Sequence, residues 1–419
     1  MEIISKFWCV LLLTMRIPLS ISSSTSTPQL SPIPKISIPL YHSKMLKPQM
    51  GAIVDTYPID DSYALFLWIG TPVQIAFVQM DLGSPITWTQ CDPCSNCYPM
   101  QRSPFNTKES STFRELGCYS ETCLDPRMKE LLGNCTSWTC RYNVNYGKES
   151  SSFGTMVIDT LNFERSNNEL KEFIMGCGDS YEGPYRAQLS GVLGLGRGPL
   201  SLQSQLNAKA FSFCLVNFGS QTASTLEFYD RAPQIDKHGL GNNSIIMVPL
   251  RENSGYPNYY FLQFVGISIN GFMLDVKSSV WGYGLNYDGG VILDIGSIAT
   301  YLPSEAYNVF KLEIQKVDHN LTREHAHEDL ELCYKDDSFN VYPSIALHFE
   351  NGNVAGENFV SFNMNNDQTL LRVDEGTVCL SFVEGKDSNL TVIGSNQLQG
   401  TQLMIDLVKE ILIFTHNKC

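Results

Sequence analysis

Basic side chains are scarce in this sequence. Lys and Arg together number 29 against 43 Asp and Glu, which gives the 419-residue chain a formal net charge of −14 at pH 7. No segment carries a basic stripe or a run of like charge, whereas nucleic-acid binding needs a clustered positive surface that neutralises phosphates. We therefore expect no nucleic-acid partner.

A dinucleotide fingerprint is missing as well. The segment GVLGLGRG, residues 191–198, is rich in glycine, but it lacks the G-x-G-x-x-G spacing of a phosphate-cradling turn between a strand and a helix. Its counterpart in the second half, TVIG at residues 391–394, favours a structural strand instead. We expect no cofactor.

Long apolar runs are absent beyond the N-terminus. The run at residues 7–15 follows Lys6 and precedes a Ser-rich tract, and it is shorter than the ~20 residues that a membrane-spanning helix needs. A basic residue, a short apolar run and small residues in this order are typical of a secretory signal peptide. We assign residues 1–24 to that signal, with cleavage between Ser20 and Thr27, and we expect no membrane span.

Cysteine is abundant, and its number becomes even once the signal is removed. The thirteen cysteines include Cys9, so the exported chain keeps twelve, enough for six disulfides in an oxidising compartment. Cys91, Cys94 and Cys97 also have the close spacing of zinc ligands, but in an exported chain disulfides are favoured and no metal is expected. The spacing leaves the pairing open.

Four Asn-x-Ser/Thr sequons, which are acceptors of N-linked glycan in exported proteins, lie at Asn134, Asn242, Asn320 and Asn389.

Length and patterning predict a mostly β protein in two lobes. A chain of 419 residues exceeds the size at which one core stops growing, about 250–300 residues. Residues 25–60 are rich in Pro and Ser and resemble a propeptide or a loose arm. Residues 61–235 and 245–419 contain short β-branched and aromatic runs broken by Gly, Asn, Asp and Pro. Helical patterning is brief, as in PSEAYNVFKLEIQKV, where Pro303 and Ser304 favour a helix start.

The tetrapeptide pattern Asp-x-Gly-Ser occurs twice, in matching surroundings. VQMDLGSPITWTQC, residues 78–91, contains Asp81, and VILDIGSIATYLP, residues 291–303, contains Asp294. In each half a short apolar pair ending in glycine follows later, at residues 192–194 and 392–394. The same order at similar spacing indicates a duplicated lobe with one motif in each copy.

A matched pair of carboxylates suggests chemistry beyond turn formation. A single Asp-x-Gly-Ser is usually only a turn, in which the Asp side chain accepts local N–H groups. Two carboxylates held in contact cannot both ionise, so they share a proton and leave one base and one acid in a single site. The base can take a proton from a water while the acid protonates a carbonyl, which hydrolyses an amide without a covalent intermediate.

These residues carry a resemblance to a known family. The chain resembles the pepsin-like aspartic peptidases, and within them the plant nepenthesin-like subgroup, through motifs along nearly its whole length: IGTPVQ, DLGS, CDPCSNCY, SGVLGLGRGPLSLQSQL, FSFCLV, DIGS and LTVIGSNQLQG. The cysteine-rich insert after Asp81 and the lack of a long saposin-like insertion in the second half point to the plant subgroup.

The resemblance implies a fold, a cellular location and a class of substrate. It implies a bilobal, mostly β, pepsin-like fold with two pseudo-symmetric lobes, one Asp per lobe at the floor of a central cleft, and a β-hairpin flap over it. It also implies a monomeric zymogen, secreted to the apoplast or cell wall or sent to the vacuole, that acts on protein or peptide substrates.

Motif matching assigns the site residue by residue. It gives catalytic roles to Asp81 and Asp294, supporting roles to Gly83, Ser84, Gly296, Ser297 and Trp88, and the flap role to Tyr146. Ser84 and Ser297 are expected to hydrogen-bond the outer carboxylate oxygens, and Trp88 to hydrogen-bond the flap tyrosine. An isolated Tyr or Trp in a β protein is more often a core residue, so the flanking motifs carry these two assignments. At the flap tip, Lys148 and Glu149 replace the small acidic residue and glycine that the family usually has.

The sequence departs from the family in the middle of each motif. Leu82 and Ile295 stand where the family has Thr or Ser, whose hydroxyl spans to the opposite loop and ties the two lobes together. Each lost hydrogen bond is worth a net ~0.5–1.5 kcal/mol. The leading hypothesis is a secreted aspartic endopeptidase that works at acidic pH. The alternatives are a catalytically impaired homologue that acts as a protein-binding or glycosidase-inhibitor-like protein, and a cell-wall carbohydrate-binding glycoprotein.

Overall fold

A computed structural model describes residues 36–42, 63–416 and 419, apart from gaps at 101, 133, 147–149, 164–167, 184–188, 219, 235–244, 285–287, 319–320, 337–341, 352–358 and 387. The described residues all belong to one compact unit, Pro32–Cys419. The expected signal peptide, most of residues 25–60, the flap tip at Lys148 and Glu149, the junction at 235–244, and the sequons at Asn242 and Asn320 lie outside the described residues.

The described part of the first half consists mainly of short strands. They are β1 (Ile36–His42), β2 (Tyr63–Ile69), β3 (Gln74–Asp81), β4 (Trp88–Asp92), β5 (Phe105–Asn106), β6 (Arg114–Glu115), β7 (Asn134–Thr136), β8 (Thr139–Tyr146), β9 (Ser150–Asn162), β10 (Glu169–Glu182), β11 (Gly191–Gly194), β12 (Ala210–Leu215) and β13 (Ser224–Tyr229). Helix α1 (Leu202–Gln205) and a 3-10 turn (Pro126–Met128) complete this half.

The second half repeats this character. Its strands are β14 (Ile245–Arg251), β15 (Phe261–Leu262), β16 (Phe264–Ile269), β17 (Phe272–Met273), β18 (Gly290–Leu293), β19 (Thr300–Pro303), β20 (Cys333–Lys335), β21 (Ile345–Glu350), β22 (Phe359–Asn363), β23 (Leu370–Asp374), β24 (Thr377–Leu380), β25 (Phe382–Gly385), β26 (Leu390–Ile393), β27 (Thr401–Asp406) and β28 (Ile411–Thr415). Its helices are α2 (Ser278–Trp281), α3 (Ser304–Val317) and α4 (Asn366–Thr369), with a 3-10 turn at Ser395–Leu398.

The brief helix predicted from PSEAYNVFKLEIQKV is confirmed as α3. It begins at Ser304, directly after Pro303, because proline cannot donate the first backbone N–H and favours a helix start. Ala306, Phe310 and Ile314 are buried, and their spacing of four residues places them on one face of the helix. The helix therefore packs against the second lobe through that face.

One antiparallel sheet joins the two halves. Its strands follow the order β1, β13, β12, β27, β28, β14, so three strands come from each half. The disulfide between Cys214 on β12 and Cys419 fastens the C-terminus to this sheet. The predicted mostly β fold with two lobes is confirmed.

Each half repeats the same pairing around its Asp-x-Gly-Ser motif. In the first lobe β3 runs parallel to β11, with Asp81 opposite Gly194, and β11 also pairs antiparallel with β4. In the second lobe β18 runs parallel to β26, and β26 pairs antiparallel with β19. The hydroxyls of Thr87 and Thr300 accept from the N–H groups of Gly194 and Gly394 at 3.1 and 3.2 Å. Both motifs therefore lie at equivalent positions of two related folds.

Part of the segment expected to be a loose arm is a strand. Ile36, Ile38 and Leu40 of β1 are buried, and β1 pairs with both β13 and β2. The sequence signal was weak because the alternation is only three apolar residues long and Pro39 interrupts it. Whether residues 25–60 are removed as a propeptide stays a prediction.

The twelve described cysteines form six disulfides. The pairs are Cys91–Cys177, Cys94–Cys97, Cys118–Cys135, Cys123–Cys140, Cys214–Cys419 and Cys333–Cys379. The prediction of disulfides is confirmed, and the three closely spaced cysteines that suggested zinc are paired instead. None of the helices described here has the length and apolar character that crossing a bilayer requires.

A buried histidine gives the second lobe a pH-dependent stability. Burial lowers the pKa of His348 below its ordinary value, and its ring nitrogens contact the hydroxyls of Ser361 and Ser268 at 2.9 and 2.8 Å. Below about pH 6.5 the unfolded chain binds a proton at this ring that the folded chain resists. Its contribution to stability is therefore fully present above that pH and is lost as the pH falls.

We expect His348→Gln to reduce the loss of stability on acidification. The measurement is the free energy of unfolding in urea at pH 7 and pH 5, with disulfides intact. The exposed His325→Gln variant is the matched control and should retain the pH dependence of the unaltered chain. An equal pH dependence in all three proteins would contradict the assignment.

Candidate active site

Asp81 stands at the end of β3 on a tight turn. The backbone N–H groups of Gly83 and Ser84 donate to Asp81 Oδ1 at 2.6 and 3.1 Å, as the turn chemistry of Asp-x-Gly predicts. The side chain is 9% exposed. One carboxylate oxygen is thereby occupied by the turn, and the carboxyl group is held in a fixed direction.

Asp294 follows β18 on the corresponding turn. The N–H of Gly296 donates to Asp294 Oδ1 at 2.9 Å, and the hydroxyl of Ser297 donates to Oδ2 at 2.8 Å. Ser297 thus has the contact that the sequence predicted for it. Asp294 is only partly buried, so solvent reaches this residue.

The two carboxyl groups meet at Gly296. A Cβ atom on this glycine would lie 3.2 Å from Asp294 Oδ1 and 3.6 Å from Asp81 Oδ2. Residues that are far apart in sequence and lie on different lobes therefore place their carboxyl groups next to the same small residue. Any side chain at position 296 would enter this space.

Ser84 differs from the prediction made for its hydroxyl. Its Oγ donates to the carbonyl oxygen of Ile86 at 2.9 Å and lies 3.2 Å from the Tyr146 hydroxyl, while its backbone N–H contacts Asp81. The turn after Asp81 directs the hydroxyl back along the chain and toward Tyr146. The two lobes are therefore not equivalent here, because Ser297 uses its side chain on the carboxylate and Ser84 uses its backbone.

Tyr146 and Trp88 lie together beside the Asp81 turn. Tyr146 ends β8, pairs with Ser150 of β9, and accepts a hydrogen bond from Trp88 Nε1 at 2.6 Å. Burial raises the pKa of the Tyr146 phenol well above its usual range, and the charge of Asp81 adds to that shift. The phenol therefore stays protonated and serves as a neutral donor and acceptor in the β8–β9 hairpin.

We expect Trp88→Phe to loosen this hairpin. Loss of the donor should lower the free energy of unfolding by about 0.5–1.5 kcal/mol, since the Ser84 contact alone then holds the phenol. Urea unfolding with the disulfides intact measures this effect. Trp138→Phe, at a side chain that is 75% exposed, is the matched control, and equal effects in both variants would contradict the prediction.

Tyr259 belongs to the site but was not found from the sequence. A Cβ atom on Gly83 would lie 2.5 Å from its Cε1 atom, so the ring rests directly on the Asp81 turn. Burial raises the pKa of its phenol, and the charges of Asp294 and Asp81 raise it further. Position 259 lies in an aromatic run that looked like an ordinary strand, and only the approach of the second lobe reveals it.

Leu82 and Ile295 are core residues. Their side chains are 0% and 1% exposed and belong to one continuous hydrophobic core that extends through both lobes. Polar contacts cross between the lobes elsewhere: Arg197 N–H donates to the carbonyl of Asn258 at 2.8 Å, and the Arg197 guanidinium pairs with Glu410 at 2.6 Å. The two motif loops therefore pack through apolar side chains, supported by hydrogen bonds around them.

Two of the predicted sequons fall in the described part of the chain. Asn389 is exposed, and its Nδ2 donates to Asp288 Oδ2 at 2.6 Å. Asn134 lies in β7, where it pairs with Arg141 of β8. Glycosylation at either position stays a prediction.

The chain is similar to known proteins over most of its length. Two family models match, one described as xylanase inhibitor N-terminal over residues 63–228 and one described as xylanase inhibitor C-terminal over residues 259–416. The chain is 30% identical to aspartic proteinase nepenthesin-2 of Nepenthes gracilis over 378 residues, which cover 90% of this chain and 82% of that protein. It is 29% identical to protein ASPARTIC PROTEASE IN GUARD CELL 2 of Arabidopsis thaliana over 85% of this chain and 72% of that protein.

Solved structures share the fold. The crystal structure of edgp matches with a TM-score of 0.68 and 19% identity, covering 91% of this chain and 94% of that chain. The crystal structure of basic 7S globulin from soybean matches with a TM-score of 0.66 and 18% identity, covering 91% and 96%. At these identities the likeness concerns the fold alone.

Proposed function

The chain belongs to the pepsin-like aspartic protease family, and from this premise we propose that it is a secreted aspartic endopeptidase that hydrolyses peptide bonds at acidic pH. The observation that carries the proposal is the meeting of Asp81 and Asp294 at Gly296. The members named above as aspartic proteinases support a peptidase rather than another hydrolase.

The mechanism follows from two carboxyl groups that share a proton. Two carboxyl groups in contact cannot both be ionised, because their negative charges repel. One Asp is therefore a carboxylate and acts as the base, and the other keeps its proton and acts as the acid. The base removes a proton from a water that attacks the peptide carbonyl, and the acid gives its proton to the carbonyl oxygen. Backbone N–H groups hold Oδ1 of each Asp, and the Ser297 hydroxyl holds Oδ2 of Asp294, so the carboxyl groups are oriented for these transfers.

The shared proton favours activity at acidic pH, and the disulfides favour an exported protein. The pair needs one proton to act, so activity should be highest where that proton is retained. Six disulfides are typical of an oxidising compartment rather than of the cytosol. We propose the cell exterior, cell wall or vacuole as the destination, with residues 1–24 as signal and residues 25–60 as the propeptide of a zymogen.

A catalytically impaired, protein-binding homologue is the second candidate. Two observations favour it: Leu82 and Ile295 lack the hydroxyl of the family, and the matching family models are described as those of a xylanase inhibitor. Misplacing catalytic groups by about 1 Å can lower a rate on the order of a hundredfold. The presence of both aspartates favours the peptidase.

The deciding experiment is hydrolysis of a denatured protein across pH 2 to 7 by the purified, acid-treated chain. We expect cleavage that peaks at acid pH. A parallel assay measures inhibition of a xylanase by the same preparation. Inhibition without cleavage by folded, propeptide-free protein would overturn the peptidase proposal in favour of the second candidate.

A further inference from the structure

The two motif turns need a directional contact that Leu82 and Ile295 do not provide. Both side chains are apolar and buried in the shared core. Apolar packing is non-directional, so it holds the turns together without fixing how their peptide groups face each other. A hydrogen bond between the lobes, beside the carboxyl groups, would supply that direction.

Gln79 makes such a hydrogen bond. It lies on β3 two residues before Asp81, and residues two apart on a strand point to the same face. Its Nε2 donates to the carbonyl oxygen of Gly296 at 3.2 Å, across 217 positions of sequence. The side chain is only 8% exposed, so water competes little for this contact.

Gly296 connects this hydrogen bond to both catalytic carboxyl groups. Its N–H donates to Asp294 Oδ1, a Cβ atom on it would lie next to the carboxyl groups of Asp294 and Asp81, and its carbonyl oxygen accepts from Gln79. The residue that orients Asp294 is thus anchored to the strand that carries Asp81. A shift of this bond would move one carboxyl group relative to the other.

We propose that Gln79 is a positioning residue that sets the register of the two aspartates, in the role that the missing hydroxyls at positions 82 and 295 would have. The proposal rests on the proposed function, because register matters only if the pair performs catalysis. In this role Gln79 acts on the pair through the carbonyl oxygen of Gly296, to which it donates.

The first test is Gln79→Met, which keeps the length and volume of the side chain and removes the donor. We expect kcat to fall about 10- to 100-fold while KM changes little, since the cleft itself is unaltered. Gln74→Met is the matched control: Gln74 lies on the same strand and donates to the Asn106 carbonyl at 2.9 Å within the first lobe. That variant should retain kcat. A folded Gln79→Met protein with unchanged kcat overturns the proposal.

The second test is Gln79→Glu, whose effect depends on pH. A protonated carboxylic acid retains one O–H donor, whereas a carboxylate has none. We therefore expect near-normal kcat at low pH and a steeper loss than in the unaltered chain as the pH rises through the titration of this glutamate. If the pH–rate profile keeps its shape although this glutamate ionises, the donor at position 79 is not needed. That result overturns the proposal, and this variant also decides the matter if Gln79→Met does not fold.

Failure of the proposed function is distinguishable from failure of this inference. If the unaltered chain cleaves nothing, the peptidase proposal falls, and Gln79 is judged by NMR titration of the two aspartate carboxyl carbons. A changed titration of the pair in Gln79→Met, with no change in Gln74→Met, supports the positioning role. Identical titration curves in all three proteins overturn it.

Discussion

Asp294→Asn is expected to lower kcat by at least about 10³-fold. Asn has nearly the same shape and keeps a carbonyl oxygen that can accept from the Gly296 N–H group. It can neither carry the negative charge of a base nor release a proton as an acid at any working pH. The loss should therefore appear in kcat rather than in KM, and the fold should be retained.

The companion variants sharpen this test. Asp81→Asn should cause a comparable loss, and the double variant should lose little more than either single one, because residues that act as a unit are not additive. Asp275→Asn, at an exposed position of the second lobe, is the matched control and should leave kcat unchanged. Steady-state kinetics on a peptide substrate at acid pH measures all four proteins. A folded Asp294→Asn protein with more than a tenth of the original kcat would rule out the dyad.

Gly394→Ala is expected to destabilise the second lobe by about 3 kcal/mol or more. A Cβ atom at this position would lie 2.3 Å from the carbonyl oxygen of Ala299 and 2.4 Å from that of Ile298. Both atoms belong to the backbone that follows the Asp294 turn, so no side chain can rotate away. Relief requires β26 to move from β18 and β19, which would also displace Asp294.

Urea unfolding with the disulfides intact measures this effect. Gly117→Ala is the matched control, since a Cβ atom there would have no neighbour within 4 Å, and it should be neutral or slightly stabilising. Gly194→Ala, at the equivalent place of the first lobe, should resemble Gly394→Ala because its Cβ atom would lie 2.3 Å from the Ile86 carbonyl oxygen. Equal stability of the Gly394 and Gly117 variants would show that β26 tolerates a side chain.

Much of the fold was predictable because its signals are local. A run of apolar or alternating residues reports the burial of a strand wherever that strand later pairs. The start of α3 at Ser304 depended on one proline, and the two Asp-x-Gly-Ser turns depended on residues that hydrogen-bond their own backbone. β1 was missed for the same reason, because three alternating residues around Pro39 are too short a local signal.

Several contacts between distant residues were not predictable, although the motifs did predict the aspartate pair and the Trp88–Tyr146 hydrogen bond. The hydroxyls of Ser84 and Ser297 have different partners, although the two motifs read alike. Tyr259 reaches the site from an aromatic run, and Gln79 reaches it from the interior of β3. The residues next to them in sequence do not distinguish either one from an ordinary strand residue. Such contacts depend on how the lobes approach each other, and that approach is a property of the whole chain.

The sequence by itself determined that this protein has two related lobes, each with one aspartate on a glycine turn, and enough cysteines for six bridges. Those features follow from composition, periodicity and turn chemistry, which act over a few residues. Only the tertiary structure decided which cysteines pair, that Gly296 is the residue beside which the predicted pair of Asp81 and Asp294 meets, and that Gln79 links the two turns. These outcomes depend on pairing across as many as 217 positions, because packing brings together groups whose sequence separation carries no information about their distance.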